Sequence, residues 1–197
     1  MTEPTVEAAA RVLRRHGIRF VVVGGQAIAQ SAATATRDVD VMISTDEYGR
    51  AVAALSADPE ATVAIEGGAV TRFGVKAMGG APLDLIDAGV FCGTHSPSEF
   101  FTILATEYSF ERDEIRYVNP AAVWYTRLLT KRWRAYAEKI VTNIIDGLDP
   151  KLLEDVERMA HRFGTESSLG PRLAYVRERL QDVPEALLGS SRRREAD

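Results

Sequence analysis

Apolar and polar positions alternate in short segments along residues 1–118, and this pattern predicts strands interleaved with helices. Residues 20–23 form an apolar run typical of a buried strand, and a second strand is predicted over residues 38–44, which begin with two aspartates that alternate with valines. Gly24-Gly25 after the first run predicts a tight turn that leads into a short alanine-rich helix. Further strands are predicted at residues 62–65, 70–78, 82–86, 108–110 and 115–118.

The helices of this part are predicted from apolar spacing and from capping signals. Residues 5–16 have helical spacing, and Gly17 is a suitable stop. Two segments, which begin at Ser44 and at Ser96, have the form of a capping box, with glutamate three residues after serine. Each of these serines is therefore expected to start a helix.

From residue 119 onward the apolar residues recur every three or four positions, which indicates helices. One helix is predicted over residues 120–145, a second from an Asp149 cap to residue 163, and a third over residues 171–180. The predicted architecture is an α/β domain with a mixed, twisted sheet flanked by helices, then a helical domain. The corresponding ranges are residues 1–118, residues 119–190 and a tail of residues 191–197.

Composition and charge narrow the classes of partner. The 197 residues carry a formal net charge of −4, which is not that of a general nucleic-acid binder. The charge is uneven: residues 1–110 hold 8 basic against 13 acidic side chains, and residues 111–197 hold 16 against 15. One stretch concentrates positive charge that could meet phosphates: Arg127, Lys131, Arg132, Arg134 and Lys139.

The cysteine and histidine content argues against a disulfide framework and against a zinc site. A single cysteine, Cys92, cannot form an internal disulfide, and the three histidines have no zinc-binding spacing. The sequence shows neither an apolar run of membrane-spanning length nor the pattern of a signal peptide. We therefore expect a cytoplasmic protein without a membrane partner.

The candidate chemistry begins with Asp38 and Asp40. Alternate residues of a strand share one face, so these two carboxylates should lie side by side while Val39 and Val41 face the core. Like charges at close range oppose each other's ionisation, and a divalent cation removes that cost. Mg²⁺ is commonly held by one or two carboxylates together with the phosphates of a substrate. Gly24-Gly25 and the helix after it could bring backbone N–H groups to such phosphates.

These residues resemble the signature of the nucleotidyltransferase superfamily, which has the DNA polymerase β-like fold. The resemblance rests on Gly24-Gly25, twelve intervening residues, and the Asp-x-Asp strand of Asp38 and Asp40. The paired glycines and Thr36-Arg37 make the segment most similar to the bacterial AbiEii and MenT toxins. The resemblance implies a nucleotidyltransferase that uses a nucleoside triphosphate and Mg²⁺, with Mn²⁺ as an alternative ion.

A third carboxylate is expected on a later strand. Leu83 and Leu85 should face the core, which places Asp84 on the opposite face. The resemblance implies that Asp84 completes the metal shell or accepts the proton of an attacking hydroxyl. Asp87 is the rival, but its position before Ala88-Gly89 favours a role in a turn.

The second domain supplies further candidates through the resemblance. Lys139 matches a helical lysine that contacts the triphosphate, and Asp155 is the candidate for a later aspartate of the nucleotide site. No clear Arg-x-Lys-Asp run accompanies them. The cleft between the two domains is the expected active site.

The toxin resemblance also implies an acceptor and a partner. The acceptor would be the 3′ end of tRNA, bound by Arg127, Lys131, Arg132 and Arg134, and its extension would block aminoacylation and translation. The partner would be a cognate antitoxin, either a transcriptional regulator or a kinase-like protein that phosphorylates Thr36. A threonine that merely favours the start of a strand is the plain alternative for Thr36.

Two other functions stay open at this stage. The first is nucleotide transfer to a small molecule such as an aminoglycoside, or to a protein hydroxyl. The acidity of the first domain would suit a cationic acceptor. The second is a catalytically silent nucleotide-binding antitoxin or scaffold. Intact Asp38, Asp40 and Asp84 argue against the silent module.

Overall fold

The computed structural model describes residues 5–29, 38–67, 69–79 and 81–183. The chain divides into two compact units, Met1–Val123 and Trp124–Asp197. The division falls within one helix, five residues after the boundary that the sequence predicts at residue 118. The predicted class, α/β with a mixed sheet flanked by helices and followed by helices, is confirmed.

The first unit contains a seven-stranded sheet in the order β3-β4-β5-β2-β1-β7-β6. Strand β1 runs antiparallel to β2 and parallel to β7, and β2 runs parallel to β5, so the sheet is mixed. The β3-β4, β4-β5 and β6-β7 pairs are antiparallel. The strands are β1 Val21–Val23, β2 Val39–Ile43, β3 Ala61–Gly67, β4 Val70–Val75, β5 Pro82–Asp87, β6 Ser109–Arg112 and β7 Ile115–Val118.

The centre of the sheet is apolar, as the hydrophobic runs predict. Every residue of β1 is buried, and Val39 and Val41 of β2 are fully buried with Leu83 and Leu85 of β5. Burial of such side chains supplies the main driving force for folding, about 1.5–3 kcal/mol for each. The helices of this unit are α1 Thr5–Arg15, α2 Gly24–Ala29, α3 Thr45–Ser56 and α4 Pro97–Glu107.

The two capping boxes of this unit differ in outcome. The Ser96 hydroxyl accepts a hydrogen bond from the Glu99 N–H, and Pro97 is the first residue of α4, as predicted. Ser44 precedes α3 but makes no capping bond, and its hydroxyl lies 3.4 Å from that of Ser98. The predicted strand over residues 70–78 also ends early, because Lys76–Met78 forms a 3₁₀ turn.

The second unit is helical among its described residues, with α5 Pro120–Leu129 leading into it. The prediction of a single helix over residues 120–145 is wrong. The Thr130 hydroxyl donates to the Arg127 carbonyl, and this local bond accompanies a break at residues 130–132. The other helices are α6 Trp133–Ile145, α7 Leu152–Phe163 and α8 Glu166–Gln181.

Two helix starts in this unit also differ from prediction. Helix α8 begins at Glu166 and contains Pro171, which the sequence places at its start. Helix α7 begins at Leu152, while the Asp149 carboxylate accepts from the Lys151 N–H just before it.

None of the helices over residues 5–29, 38–67, 69–79 and 81–183 is long and apolar enough to cross a membrane.

Candidate active site

Strand register brings Asp38, Asp40 and Asp84 together. Asp40 pairs with Val23 of β1 on one side and with Asp84 of β5 on the other, and Asp38 directly precedes β2. Paired residues of neighbouring strands share a face, so the three carboxylates project on the same side of the sheet. One carboxylate oxygen from each lies within 4.8 Å of the other two. Asp84 is buried, and Asp38 and Asp40 are half-buried.

The backbone of Gly24 lies directly against the side chain of Asp40. The residue has φ +68°, a conformation that glycine adopts without steric cost, and it begins α2 directly after β1. A Cβ at this position would lie 1.9 Å from Oδ2 of Asp40 and 2.8 Å from its Cγ. Only a residue without a side chain therefore fits beside Asp40, and this contact accounts for the first glycine of the pair.

Arg72 of β4 is the residue that the sequence reasoning missed. It pairs with Asp84 in the β4-β5 register, and its Nε and Nη2 donate to Oδ1 and Oδ2 of Asp84 at 2.6 Å each. The hydrogen bonds that Arg72 donates to Asp84, with the negative charges of Asp84, Asp38 and Asp40, raise the pKa of Arg72 above its ordinary value. Arg72 therefore stays positively charged at any physiological pH.

The donor set fits a divalent cation. Three carboxylates carry three negative charges, and the adjacent guanidinium reduces the net charge of the cluster to −2. Hard oxygen ligands of this kind suit Mg²⁺ and Mn²⁺ better than softer ions. A divalent cation held by these carboxylates could also bind phosphate oxygens of a substrate.

Asp87 has the structural role that its position indicates. It lies at the end of β5 and caps the 3₁₀ turn Ala88–Phe91 by accepting from the Gly89 N–H at 2.8 Å. The Thr45 hydroxyl donates to the same oxygen. This carboxylate serves the turn.

The basic residues predicted to bind RNA do not form one helical row. Arg127 lies on α5 and is half-buried, with its guanidinium 5.0 Å from the Trp124 ring centroid and 5.3 Å from that of Tyr136. Lys131 and Arg132 are exposed in the turn between α5 and α6, and Arg134 is exposed in the first turn of α6. The break at residues 130–132 therefore distributes these basic residues over two helices and the turn between them.

The other predicted site residues that the structure describes lie on helices. Lys139 is exposed on α6, with its ammonium 5.9 Å from the Tyr136 ring centroid. Asp155 lies in the first turn of α7 and pairs with Arg158. Gly25 follows Gly24 in α2. Thr36 and the predicted tail over residues 191–197 fall outside the described residues.

A cavity of about 400 Å³ lies elsewhere in the first unit. Its walls include Phe20, Phe101 and three arginines, and no member of the aspartate cluster. All three arginines are bound within the fold: Arg14 to Glu114, Arg19 to Glu47, and Arg116 to Glu111 and the Ala105 carbonyl. The aspartate cluster, rather than this cavity, is the candidate active site.

Neither a protein-family model nor a curated protein matches the chain. Solved structures that show a distant similarity to the chain include the following three. One is the solution structure of the antibiotic-resistance factor ANT(2'')-Ia, with TM-score 0.47, 14% identity, and coverage of 90% of this chain and 91% of that one. A second is the crystal structure of ANT(2'')-Ia with adenylyl-2''-tobramycin, with TM-score 0.45, 15% identity and coverage of 88% and 95%. The third, a protein from H. pylori provisionally classed as a nucleotidyltransferase, has TM-score 0.37, 11% identity and coverage of 92% and 95%.

Proposed function

We propose that this protein is a divalent-metal-dependent nucleotidyltransferase. One observation carries the proposal: Asp38, Asp40 and Asp84 offer oxygens within 4.8 Å of one another, in a fold whose first unit places them at the centre of a mixed sheet. Asp38 and Asp40 would hold Mg²⁺ or Mn²⁺ with Asp84 beside them. Bound there, the cation would neutralise phosphate charge and polarise the phosphorus that reacts.

In the proposed reaction a hydroxyl of the acceptor attacks the α-phosphorus of a nucleoside triphosphate. A new oxygen–phosphorus bond forms, the bond to the bridging oxygen breaks, and pyrophosphate leaves. The hydroxyl proton passes to a carboxylate, for which Asp84 is the candidate. The contribution of the chain is to position reactants and to neutralise charge, which are the dominant effects in phosphoryl-group chemistry.

Nucleotide contacts outside the cluster are part of the same proposal. Gly24 and Gly25 would present backbone N–H groups to the triphosphate. Lys139 would neutralise phosphate charge, and Asp155 would contribute to the nucleotide site. The exposure of Lys139 supports its assignment, whereas the Arg158 pair of Asp155 would have to open.

We propose the 3′ end of tRNA as the acceptor, so that the product cannot be aminoacylated and the enzyme acts as a toxin. Lys131, Arg132 and Arg134 are exposed within four residues and flank the half-buried Trp133. Clustered cations with an aromatic ring are suited to a single-stranded nucleic-acid end. A toxin of this kind requires a cognate antitoxin, which would bind the protein or phosphorylate Thr36.

A small cationic molecule is the second candidate acceptor. The excess of acidic side chains over residues 1–110, 13 against 8 basic, favours a cation such as an aminoglycoside. Tobramycin, whose 2''-adenylyl form is present in the ANT(2'')-Ia complex, is a compound to include in the assay.

The reaction is tested with purified protein, Mg²⁺, total bacterial RNA and each α-labelled nucleoside triphosphate in turn. Asp38→Asn and Asp40→Asn should abolish labelling of a band of tRNA size, while Asp182→Asn, a matched change at the exposed end of α8, should not. Label on an aminoglycoside instead of RNA would favour the second acceptor. If no acceptor becomes labelled although the protein binds nucleotide and metal, the result would favour a catalytically silent binding module.

RNA binding is tested with Lys131→Gln/Arg132→Gln. Each lost phosphate contact flattens the slope of log K against log salt concentration by about 0.7–0.9, so the double variant should lose about 1.5. Lys151→Gln/Arg162→Gln removes the same net charge from exposed positions of the second unit and serves as the control. Equal slopes for the two double variants would contradict the assignment of the Lys131-Arg132 turn.

A further inference from the structure

Arg72 places a positive charge in the aspartate cluster, and the proposed reaction gives this charge no role. Its guanidinium meets both Asp84 oxygens at 2.6 Å, and the side chain of Asp84 is only 9% exposed. A planar guanidinium that binds both oxygens fixes the rotation of the carboxylate as well as its distance, which an ammonium group cannot do. Asp84 is therefore oriented before any ligand arrives.

Arg72 also sets the charge that a cation would meet. Asp38, Asp40 and Asp84 together carry −3, and Arg72 brings the sum to −2, the amount that one divalent cation cancels. Burial of Asp84 and partial burial of the other two aspartates strengthen these interactions relative to water. A positive charge at this position opposes cation binding while it holds one of the carboxylates in place.

We propose that Arg72, bound to Asp84 beside Asp40, acts through its charge and limits the affinity of the cluster for a divalent cation. The inference rests on the proposed metal site. Because of Arg72, the cluster without ligands has a net charge that one divalent cation cancels. Any further cation would then bind only together with the phosphates of a nucleotide, which supply additional negative charge.

The test is a charge cycle read by Mn²⁺ binding alone, without nucleotide or acceptor. The net charge of the cluster is −2 in the parent, −3 in Arg72→Gln, −1 in Asp84→Asn and −2 in the double variant. Arg72→Gln should bind Mn²⁺ about tenfold more tightly than the parent, and Asp84→Asn about tenfold less tightly. The double variant should recover affinity relative to Asp84→Asn.

Arg72→Lys separates charge from geometry. It keeps the positive charge, so its Mn²⁺ affinity should stay within about threefold of the parent. A purely structural role would instead weaken Mn²⁺ binding in both Arg72→Gln and Arg72→Lys. Arg177→Gln, which removes another two-bonded pair with Glu157 on α7 and α8, is the matched control and should leave Mn²⁺ affinity unchanged.

The outcomes distinguish this inference from the proposed function. Weaker binding in Arg72→Gln than in the parent, or a double variant no better than Asp84→Asn, would overturn the role of Arg72 and leave the metal site intact. If Arg72→Gln does not fold, a loss of affinity in Arg72→Lys as large as that in Asp84→Asn overturns it equally. Absence of saturable Mn²⁺ binding in both the parent and Arg72→Lys would overturn the metal site, and with it the proposed function.

Discussion

Gly24→Ala offers a sharp test of the geometry around Asp40. The added methyl group would lie 1.9 Å from Oδ2 of Asp40, 2.8 Å from its Cγ and 3.0 Å from its Cβ. The backbone at this position has φ +68°, which alanine adopts at a cost of about 1–2 kcal/mol. The substitution therefore combines a backbone penalty with a collision against the candidate site.

The size of the collision follows from the distances. Moving the Asp40 oxygen from 1.9 Å to the 3.0 Å that a Cβ tolerates requires a displacement of about 1 Å. We expect a total loss of about 2–4 kcal/mol in the free energy of unfolding, because the close packing beside β1 and β2 must rearrange. Metal–oxygen distances tolerate only about 0.2 Å, so Mn²⁺ affinity should fall at least about tenfold.

The assay compares Gly24→Ala with Gly79→Ala. Gly79 has φ +62°, nearly the same backbone conformation, but its added Cβ would meet no atom within 4 Å. Gly79→Ala should therefore cost only the backbone term, about 1–2 kcal/mol, and leave Mn²⁺ affinity unchanged. Denaturant unfolding measures the stabilities, and calorimetric titration with Mn²⁺ measures the site.

The difference between the two variants isolates the contact with Asp40. Equal losses of stability and equal Mn²⁺ affinities would refute the reasoning, since they would mean that Gly24 serves only its backbone conformation. A loss of affinity confined to Gly24→Ala would show that Asp40 needs the space beside Gly24 in order to bind the ion.

Three further predictions concern stability. Asp113 and Glu114 both have positive φ in the two-residue turn between β6 and β7, so Asn-Gly at these positions should raise the free energy of unfolding by about 1 kcal/mol in denaturant titrations. A bond from the Glu60 N–H, then bonds from His16 and Arg15, lower the pKa of Asp58 to about 2, below its ordinary 3.8. The stability that this carboxylate contributes is present above pH 5 and is lost as the pH falls toward 2, so acid unfolding should depend less on pH in Asp58→Asn than in the parent. Gly49→Ala in α3, where an added Cβ meets open space, should raise the free energy of unfolding by about 0.5–1 kcal/mol and with it the midpoint of thermal unfolding.

Local patterns in the sequence were sufficient for most elements. Every predicted strand is present within a few residues of its bounds, because alternation and apolar runs report directly which faces are buried. The orientation of Asp40 and Asp84 away from the core follows the same logic, since each lies between buried apolar residues of its strand. The helices were less well predicted, because the break at residues 130–132, where the Thr130 hydroxyl bonds to the Arg127 carbonyl, interrupts an otherwise continuous apolar stripe.

Strand register lies beyond such local patterns. A tight turn centred on Gly79-Gly80 would place Arg72 opposite Asp87, whereas the 3₁₀ turn Lys76–Met78 shifts the pairing of β4 and β5 by three residues. Arg72 therefore meets Asp84, and Asp87 is left to cap its own turn. Register depends on the geometry of the connection and on the packing of a whole face, and a difference of a few residues changes every partner.

The sequence by itself determined the identity of the acidic strand residues, the glycine that begins α2 and the division between a mixed sheet and a helical region, because each is encoded by residue type and spacing within one segment. The tertiary structure alone decided which carboxylate receives a counter-charge and why Gly24 carries no side chain. Both depend on atoms from separate segments, Arg72 with Asp84 and Gly24 with Asp40, that only the folded sheet brings within a few ångströms.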